Sequence, residues 1–276
     1  MVTPPPERPA SQTSAGRAVT VDPADGGRWT SLQLAGREWL WAGPGLITGS
    51  RAGLATFIDA GGLDECFPTV RGAPDHGGLW NQPWDGTVEY DGAILTRAFT
   101  SGTDTVTVDY HLEAAPGYRF VWAAHALLDC AAGAVVSAVP GTSCRLFPES
   151  AALLPWAWPD TAPWVTAIWP TPLELSTYGA SDGTAVGAVL VDCPAVSVHD
   201  RGAELTLTLS CPGQPVSTAL WRNQGGFPED APYRSLGVEP MLGRVFDLAT
   251  AGPGDAAVVP ESGELTWRLT ISARPV

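Results

Sequence analysis

The sequence predicts an all-β protein built from antiparallel sheets, and three observations support this class. Many short segments alternate apolar and polar residues, as half-buried strands do. Few segments place apolar residues at helical spacing, and 31 glycines and 26 prolines interrupt the chain throughout. The 276 residues show no internal repeat and no break in composition. We therefore predict one domain over residues 17–276, organised as a sandwich or a barrel.

The predicted strands follow one another along this domain. Residues 1–16 are rich in Pro and Ser, which predicts a flexible N-terminal tail. Residues 17–22 alternate, and residues 29–41 divide into two short strands around Gly36. Further strands are predicted over residues 103–112, 118–128, 185–192, 195–199, 204–210, 216–221 and 264–272.

Residues 61–84, GGLDECFPTVRGAPDHGGLWNQPW, hold the densest set of chemically useful groups. Frequent Gly and Pro argue against a long helix or a regular central strand there. We therefore predict that the polar groups of this segment lie on loops that cross the scaffold. Tryptophan rings beside carboxylates, amides and an imidazole suit a sugar. A ring stacks on the apolar C–H face of a pyranose, and the polar groups bind its hydroxyls.

The acidic composition bears on the partners of the protein. The chain has 29 acidic and 15 basic residues and a formal net charge of −14. Such a chain repels phosphate backbones and anionic lipids, so we predict neither a nucleic-acid partner nor a membrane partner. No uninterrupted apolar run is long enough to span a bilayer. The composition does not determine the oligomeric state.

The cysteines and the N-terminus bear on localisation and on cofactors. Five cysteines without a CxxC motif indicate neither a disulfide framework nor a zinc site. Isolated thiols suit a reducing compartment, and the N-terminus lacks the apolar core of a secretion signal. We therefore predict a cytoplasmic protein. The sequence has no Walker loop, no GxSxG and no dinucleotide-binding fingerprint, and we predict no cofactor and no metal.

Two of the four histidines are candidates for catalysis. His111 lies on an alternating strand and His199 precedes a predicted hairpin turn, so we interpret both as structural. His76 is followed by two glycines, which leave its imidazole uncrowded, although a turn-capping role is an equal alternative. His125 lies in an apolar run, FVWAAHALL. A core role is usual there, but a partly dry imidazole also suits a proton donor near neutral pH.

Glu239 is the third candidate. It lies in YRSLGVEPMLGR, and Pro240 keeps it out of the helical region. Its apolar neighbours predict partial burial, which makes a carboxylate a stronger base. An exposed turn residue is the alternative interpretation.

Together these segments resemble motifs of the galactose mutarotase-like, or aldose 1-epimerase, superfamily. GGLDECFPTV followed by PDHGGLWNQPW resembles a block in which a Gly-Gly turn leads to a Phe-Pro segment and a His-Gly loop. FVWAAHALL resembles the strand that carries the second histidine of the family. LWRNQGGFP followed by SLGVEPMLG resembles the block in which a Trp strand precedes a Glu-Pro turn. The resemblance covers residues 61–244.

The resemblance implies a β-supersandwich of two large antiparallel sheets with an open sugar-binding face. It also implies an isomerase that interconverts the α and β anomers of a free sugar without a cofactor. By this resemblance, Glu239 is the general base for the C1 hydroxyl and His125 is the general acid for the ring oxygen. His76 binds and polarises near that oxygen. The resemblance further implies substrate-binding roles for Asp64, Glu65, Arg71, Trp80, Trp84 and Trp221.

This chain departs from its relatives at two places. Trp80 stands where hexose-6-phosphate mutarotases carry an arginine, so a bidentate phosphate partner is lost and a neutral sugar is favoured. The arginine that holds the sugar in galactose mutarotases has no clear counterpart, and Arg51 and Arg71 are the candidates.

Two other functions remain open at this stage. A non-catalytic carbohydrate-binding protein would keep the aromatic loop but would not need His125 and Glu239. A different acid–base isomerase or cyclase on the same fold is the other alternative. If the protein is an epimerase, we expect His76, His125 and Glu239 to meet in one open cleft. We also expect His125 and Glu239 to stand far enough apart to hold a pyranose ring between them.

Overall fold

The structure, a computed structural model, describes residues 18–45 and 49–276 and confirms the all-β class. The predicted tail over residues 1–16 lies outside the described residues. Helical structure in the described ranges is limited to two 3₁₀ turns, Pro148–Leu153 and Leu248–Thr250, and no described helix is long and apolar enough to cross a membrane. The strands are, in chain order, β1 (Val19–Asp22), β2 (Arg28–Leu34), β3 (Arg37–Glu38), β4 (Leu63–Cys66), β5 (Thr87–Tyr90), β6 (Ala93–Ser101), β7 (Thr105–Glu113), β8 (Arg119–Phe120), β9 (Trp122–Leu128), β10 (Ala134–Ser137), β11 (Ser143–Leu146), β12 (Val165–Ile168), β13 (Thr177–Tyr178), β14 (Ala185–Leu190), β15 (Ala195–Asp200), β16 (Ala203–Ser210), β17 (Val216–Phe227), β18 (Tyr233–Leu242), β19 (Ala257–Val258) and β20 (Glu264–Pro275).

The strands form two large antiparallel sheets. The first sheet has ten strands in the order β1-β2-β4-β9-β18-β17-β14-β11-β12, and β3 pairs with β2. The second sheet has eight strands in the order β13-β10-β15-β16-β20-β7-β6-β5. The short strands β8 and β19 pair with each other. The predicted pair of large antiparallel sheets is therefore confirmed.

One apolar core lies between the two sheets. Trp122 and Ala124 of β9 belong to it, together with residues of the second sheet such as Val108. Successive side chains of a strand point to opposite faces. Ala123 and His125 therefore point to the other side of the first sheet, which we call the outer face.

A second, smaller apolar cluster covers part of the outer face. Its members come from β4, β9, β14, β17 and β18 and from the loops that cross them. Because this cover is incomplete, the remaining outer face is free to hold polar groups. The cluster consists of Cys66, Val70, Val121, Ala123, Phe147, Val189, Ala219, Met241, Val245 and Phe246.

The prediction that residues 61–84 lie on loops was wrong for Leu63–Cys66. These four residues form β4, a fully buried strand between β2 and β9. Pairing in the sheet and burial of Leu63 and Cys66 outweigh the local signal of the surrounding Gly and Pro. The segment therefore enters the sheet as a strand and leaves it as a loop.

Glu239 is buried, and the Glu-Pro turn that the resemblance implied is not found, because Glu239 and Pro240 both lie within β18. The strand β18 pairs with β9 at Gly237 and again at Met241. Among the described residues, those between these two positions form no pair with β9. Proline has no N–H to donate to a ladder. Pro240 is thus accommodated in a central strand where the ladder to β9 is interrupted.

A buried ion pair joins β4 to the second sheet. Glu65 points into the core between the sheets, where its carboxylate accepts a hydrogen bond from Arg97 of β6. Tyr110 Oη and Trp122 Nε1 also donate to it, each over 3.1 Å. Burial raises the pKa of Tyr110 well above its usual value, and the Glu65 charge adds to the effect. Glu65 therefore has a structural place, not the substrate-binding one that the resemblance implied.

We predict that Arg97→Met strongly destabilises the protein. The substitution leaves the Glu65 carboxylate buried without its cation, a change that costs about 3–5 kcal/mol. The free energy of unfolding in urea measures the effect. The matched control is Arg268→Met, because Arg268 is exposed and its pair with Asp109 contributes little. Equal stability of the two variants would contradict the assignment.

Candidate functional site

A row of cross-strand neighbours on the outer face forms the centre of the candidate site. Asp64 of β4 pairs with His125 of β9. The register between β9 and β18 brings Glu239 opposite His125, and Ala219 of β17 pairs with Glu239. Side chains that stand opposite each other on one face of a sheet are in contact range. The sheet therefore brings together polar groups that lie far apart in the sequence.

His125 and Glu239 are close to each other and nearly enclosed. His125 Nε2 lies 3.5 Å from Glu239 Oε1, and the two side chains are 10% and 3% exposed. The expectation that a pyranose ring separates them is wrong, because adjacent strands hold them side by side. The site around them is also more enclosed than the open cleft that the sequence predicted.

Gly237 leaves the space that the Glu239 carboxylate occupies. A Cβ atom at Gly237 would lie 2.5 Å from Glu239 Oε1 and 2.9 Å from Trp221 Cβ. Both distances are too short for a real contact, so any larger residue would displace the carboxylate. Gly237 also pairs with Trp221 of β17, which puts the tryptophan beside the acid on the outer face.

The structure brings His76 to the same place from the loop that follows β4. Its ring centroid lies 5.1 Å from that of His125, with the rings nearly perpendicular. Its backbone has a φ of 58°, in the left-handed region that non-glycine residues seldom adopt. Such strain is typical of functional positions. A hydrogen bond from the His76 N–H to the Val70 carbonyl, 2.9 Å long, holds the loop in this conformation.

Phe57 covers the two histidines. Its ring stacks on His76 with a centroid distance of 3.6 Å and meets the edge of His125 at 6.3 Å. It also meets Trp80 edge-on at 5.3 Å. Sequence analysis missed Phe57, because a lone aromatic residue between small and polar residues has no periodicity or motif to mark it.

Arg51, one of the two candidate sugar-binding arginines, is fully buried beside the site. It donates to both carboxylate oxygens of Asp64, over 2.8 and 2.6 Å, and to Asp25 over 3.2 Å. Burial opposes the charge, but these two carboxylates outweigh it and raise the pKa of Arg51. Asp64 thus lies next to His125, but Arg51 engages both of its oxygens, so the implied substrate-binding role is corrected. We interpret Asp64 as a positioning residue.

Arg71, the other candidate, lies at the edge of the site. It donates to Glu149 over 2.8 Å and lies against the ring of Phe246 at 4.4 Å. A Cβ atom at Gly187 would lie 2.7 Å from a guanidinium nitrogen of Arg71, so the side chain rests on bare backbone. Gly187 pairs with Trp221. Arg71 and Glu149 therefore occupy the outer face on the far side of Trp221 from Glu239.

Two tryptophans predicted to bind the substrate are buried elsewhere. Trp84 lies in the core between the sheets, where Arg97 stacks over its ring at 3.8 Å. It does not reach the outer face, so the implied substrate-binding role is corrected. Trp80 is buried under Phe57 and donates its indole N–H to the Gly77 carbonyl over 3.1 Å. Trp80 supports the site from below and offers no free face to a ring.

The local charges affect Asp75 and Cys66. Asp75 Oδ1 lies 3.1 Å from His76 Nδ1. Burial opposes ionisation, yet His76 and Arg71 together lower the pKa of Asp75. Burial raises the pKa of the Cys66 thiol, and Glu239 and Asp64 add to the effect. Among the described residues, no group of three or more His, Cys, Asp or Glu residues is arranged to hold a metal ion.

Comparisons with known proteins support the fold. No protein-family model and no curated protein matches the sequence. The Slr1438 protein from Synechocystis sp. PCC 6803 has a TM-score of 0.64 at 14% identity, over 98% of both chains. A candidate aldose 1-epimerase from Escherichia coli K12 has a TM-score of 0.63 at 14% identity, over 94% of this chain and 97% of that one. A galactose mutarotase-like protein from Lactobacillus casei ATCC 334 has a TM-score of 0.54 at 12% identity, over 95% and 98%. The predicted galactose mutarotase-like fold is thereby confirmed.

We predict that no cysteine of the folded protein reacts with a thiol reagent. All five cysteines are buried free thiols, and burial keeps Cys66 and Cys130 protonated by raising their pKa values. Labelling with an aromatic disulfide at about pH 8 checks this. We expect no fast labelling of the native protein and five labelled thiols in guanidinium chloride. One fast-reacting thiol in the native protein would contradict the burial.

Proposed function

We propose that the protein is an aldose 1-epimerase, which interconverts the α and β anomers of a free sugar. The observation that carries this proposal is the imidazole–carboxylate pair of His125 and Glu239, 3.5 Å apart on the outer face. Such a pair supplies a proton donor and a proton acceptor at one point. The fold shared with solved mutarotase-like structures agrees with this proposal.

The short distance within the pair suits the reaction. The C1 hydroxyl oxygen and the ring oxygen of a pyranose are both bonded to C1, so they are neighbours. An acid and a base on neighbouring strands can therefore serve both oxygens from one side of C1. The reaction therefore does not need a ring-wide separation between the two side chains.

The proposed reaction moves two protons. Glu239, as a carboxylate, takes the proton of the C1 hydroxyl, and the C1–O1 bond becomes a double bond. The bond between C1 and the ring oxygen breaks, and the ring oxygen takes a proton from His125 in its imidazolium form. Rotation about C1–C2 turns the other face of the aldehyde to the hydroxyl. Closure returns both protons, so no cofactor or net redox change is needed.

His76 is proposed to bind near the ring oxygen. Its ring lies 5.1 Å from that of His125 and is held between Phe57 and Asp75. The ring of Phe57 lies against both histidines. A sugar that reaches His125 and Glu239 would therefore have to displace Phe57 or pass beside it. A protein that only binds sugars would need aromatic and polar surfaces, but not a buried acid beside an imidazole.

The charges around the site favour a neutral sugar. Arg51 is neutralised by Asp64 and Asp25, and Arg71 is neutralised by Glu149. The carboxylates of Asp75 and Glu239 add negative charge without a guanidinium partner among the described contacts. Among the described residues around the pair, a sugar phosphate would therefore meet like charges and no unpaired cation. This agrees with the expectation drawn from Trp80, although that side chain is buried and does not itself meet the ligand.

We predict that Glu239→Gln lowers kcat for mutarotation by about 10²- to 10⁴-fold without unfolding the protein, because the amide keeps the shape and loses the base. Anomeric exchange followed by proton NMR measures the rate. Glu264→Gln is the matched control, since Glu264 Oε2 also lies 3.5 Å from a histidine, His111, but on the exposed face of the other sheet. If Glu239→Gln keeps wild-type activity, another group is the base.

We predict that the wild type has a higher kcat/KM for glucose than for glucose 6-phosphate. In Glu149→Gln the difference between the two kcat/KM values should be smaller. The variant frees the charge of Arg71, which changes the ratio of the two kcat/KM values by about two- to fivefold. Glu204→Gln is the control, because Glu204 pairs with Arg274 at the same distance, 2.8 Å, on the exposed surface. A wild-type preference for the phosphate, or equal effects of the two variants, would contradict this charge argument.

A further inference from the structure

Partly exposed aromatic rings continue the outer face beyond Glu239. We call Trp221, Phe227, Tyr233 and Trp41 the aromatic strip. Trp221 and Phe227 meet edge to face with a centroid distance of 5.7 Å, and Trp41 stacks on Tyr233 at 5.1 Å. Phe227 and Tyr233 are cross-strand partners, so the two contacts belong to one continuous surface.

The aromatic strip begins at the candidate catalytic pair and extends away from it. Trp221 stands next to the Glu239 carboxylate across the bare backbone of Gly237. From Gly237 to Tyr233 the strand β18 runs four residues, or about 13 Å. That length exceeds one pyranose ring and approaches the length of two linked rings.

Phe227 is held firmly although its ring faces solvent. Its relative exposure is 50%, among the highest of the large apolar residues described. Its backbone lies at a bulge in β17, where the buried Asn223 side chain accepts from the N–H groups of Gly225, Gly226 and Phe227. The same side chain donates to the Phe227 carbonyl over 2.7 Å. A buried amide that positions an exposed ring is what a binding surface requires.

Polar groups border the strip on the side of Trp41. Tyr233 Oη donates to Asp59 over 2.7 Å, and the other oxygen of Asp59 accepts from the Gly61 N–H over 2.8 Å. Burial raises the pKa of Tyr233, and Asp59 adds to this effect, so its hydroxyl stays neutral. The strip therefore combines aromatic faces with a carboxylate at its border.

We propose that the aromatic strip is a second sugar subsite, which holds the non-reducing ring of a neutral reducing disaccharide. The reducing ring then reaches His125 and Glu239, so the inference rests on the proposed function and narrows its substrate class. Aromatic rings that continue from a sugar site stack on the C–H face of the next ring. The acidic surroundings select a neutral glycan over an anionic one.

Binding of disaccharides tests the proposal. Glucose, maltose, cellobiose and lactose are titrated calorimetrically into the wild type, Phe227→Ala and Phe99→Ala. Phe99 is a matched control, because it is 37% exposed and lies on the second sheet. We expect at least one disaccharide to bind about tenfold more tightly than glucose, which corresponds to one well-packed aromatic contact. Phe227→Ala should remove this advantage and leave glucose binding within about twofold, and Phe99→Ala should change neither.

The outcomes separate this inference from the proposed function. Equal affinity of the wild type for glucose and all three disaccharides overturns the subsite even if mutarotation is found. An equal loss of glucose affinity and disaccharide affinity in Phe227→Ala overturns it too. A disaccharide preference that depends on Phe227 supports the subsite. The methyl glycoside of the preferred disaccharide, which cannot open its reducing ring, should show the same dependence of affinity on Phe227. If that binding occurs without any accelerated anomeric exchange, the subsite stands and the proposed catalysis fails.

Discussion

The alternation of side chains along β4 is the constraint on which the rest of the structure depends. Two adjacent acids, Asp64 and Glu65, point to opposite faces of the first sheet. Glu65 is buried between the sheets and joins them through Arg97. Asp64 faces outward and pairs with His125 in the sheet and with Arg51 through its carboxylate. One strand thus stabilises the core with one acid and builds the candidate site with the next.

Two irregular positions in β18 adapt a regular sheet to the candidate site. Pro240 interrupts the ladder to β9 where Glu239 faces His125, and Gly237 leaves the volume into which the Glu239 carboxylate folds. Both residues are unfavourable in the middle of a central strand. Their positions next to Glu239 make functional sense, because each one serves the placement of a single carboxylate.

The two arginines near the site show how burial and pairing decide the role of a charge. Arg51 is enclosed by two carboxylates and orients Asp64, whereas Arg71 is paired with Glu149 near the surface. Neither guanidinium is an unpaired cation, since each forms an ion pair with a nearby carboxylate. The site is therefore acidic and aromatic, which connects its electrostatics to the neutral sugars proposed as substrates.

The sequence by itself determined the all-β class, about half of the strands and, through the resemblance of its motifs, the three residues that the structure brings together at one place. The period-two patterns and the local motifs around His76, His125 and Glu239 are properties of short segments, so they can be read without a fold. Only the tertiary structure decided which side of a sheet each residue faces. In the folded chain, Glu65 and Trp84 lie outside the candidate site, Trp80 is buried and Glu239 lies within a strand. Phe57 and Gly237 are further members of the site. The physical reason is that strand register and loop packing depend on contacts between distant segments, and no single segment encodes those contacts.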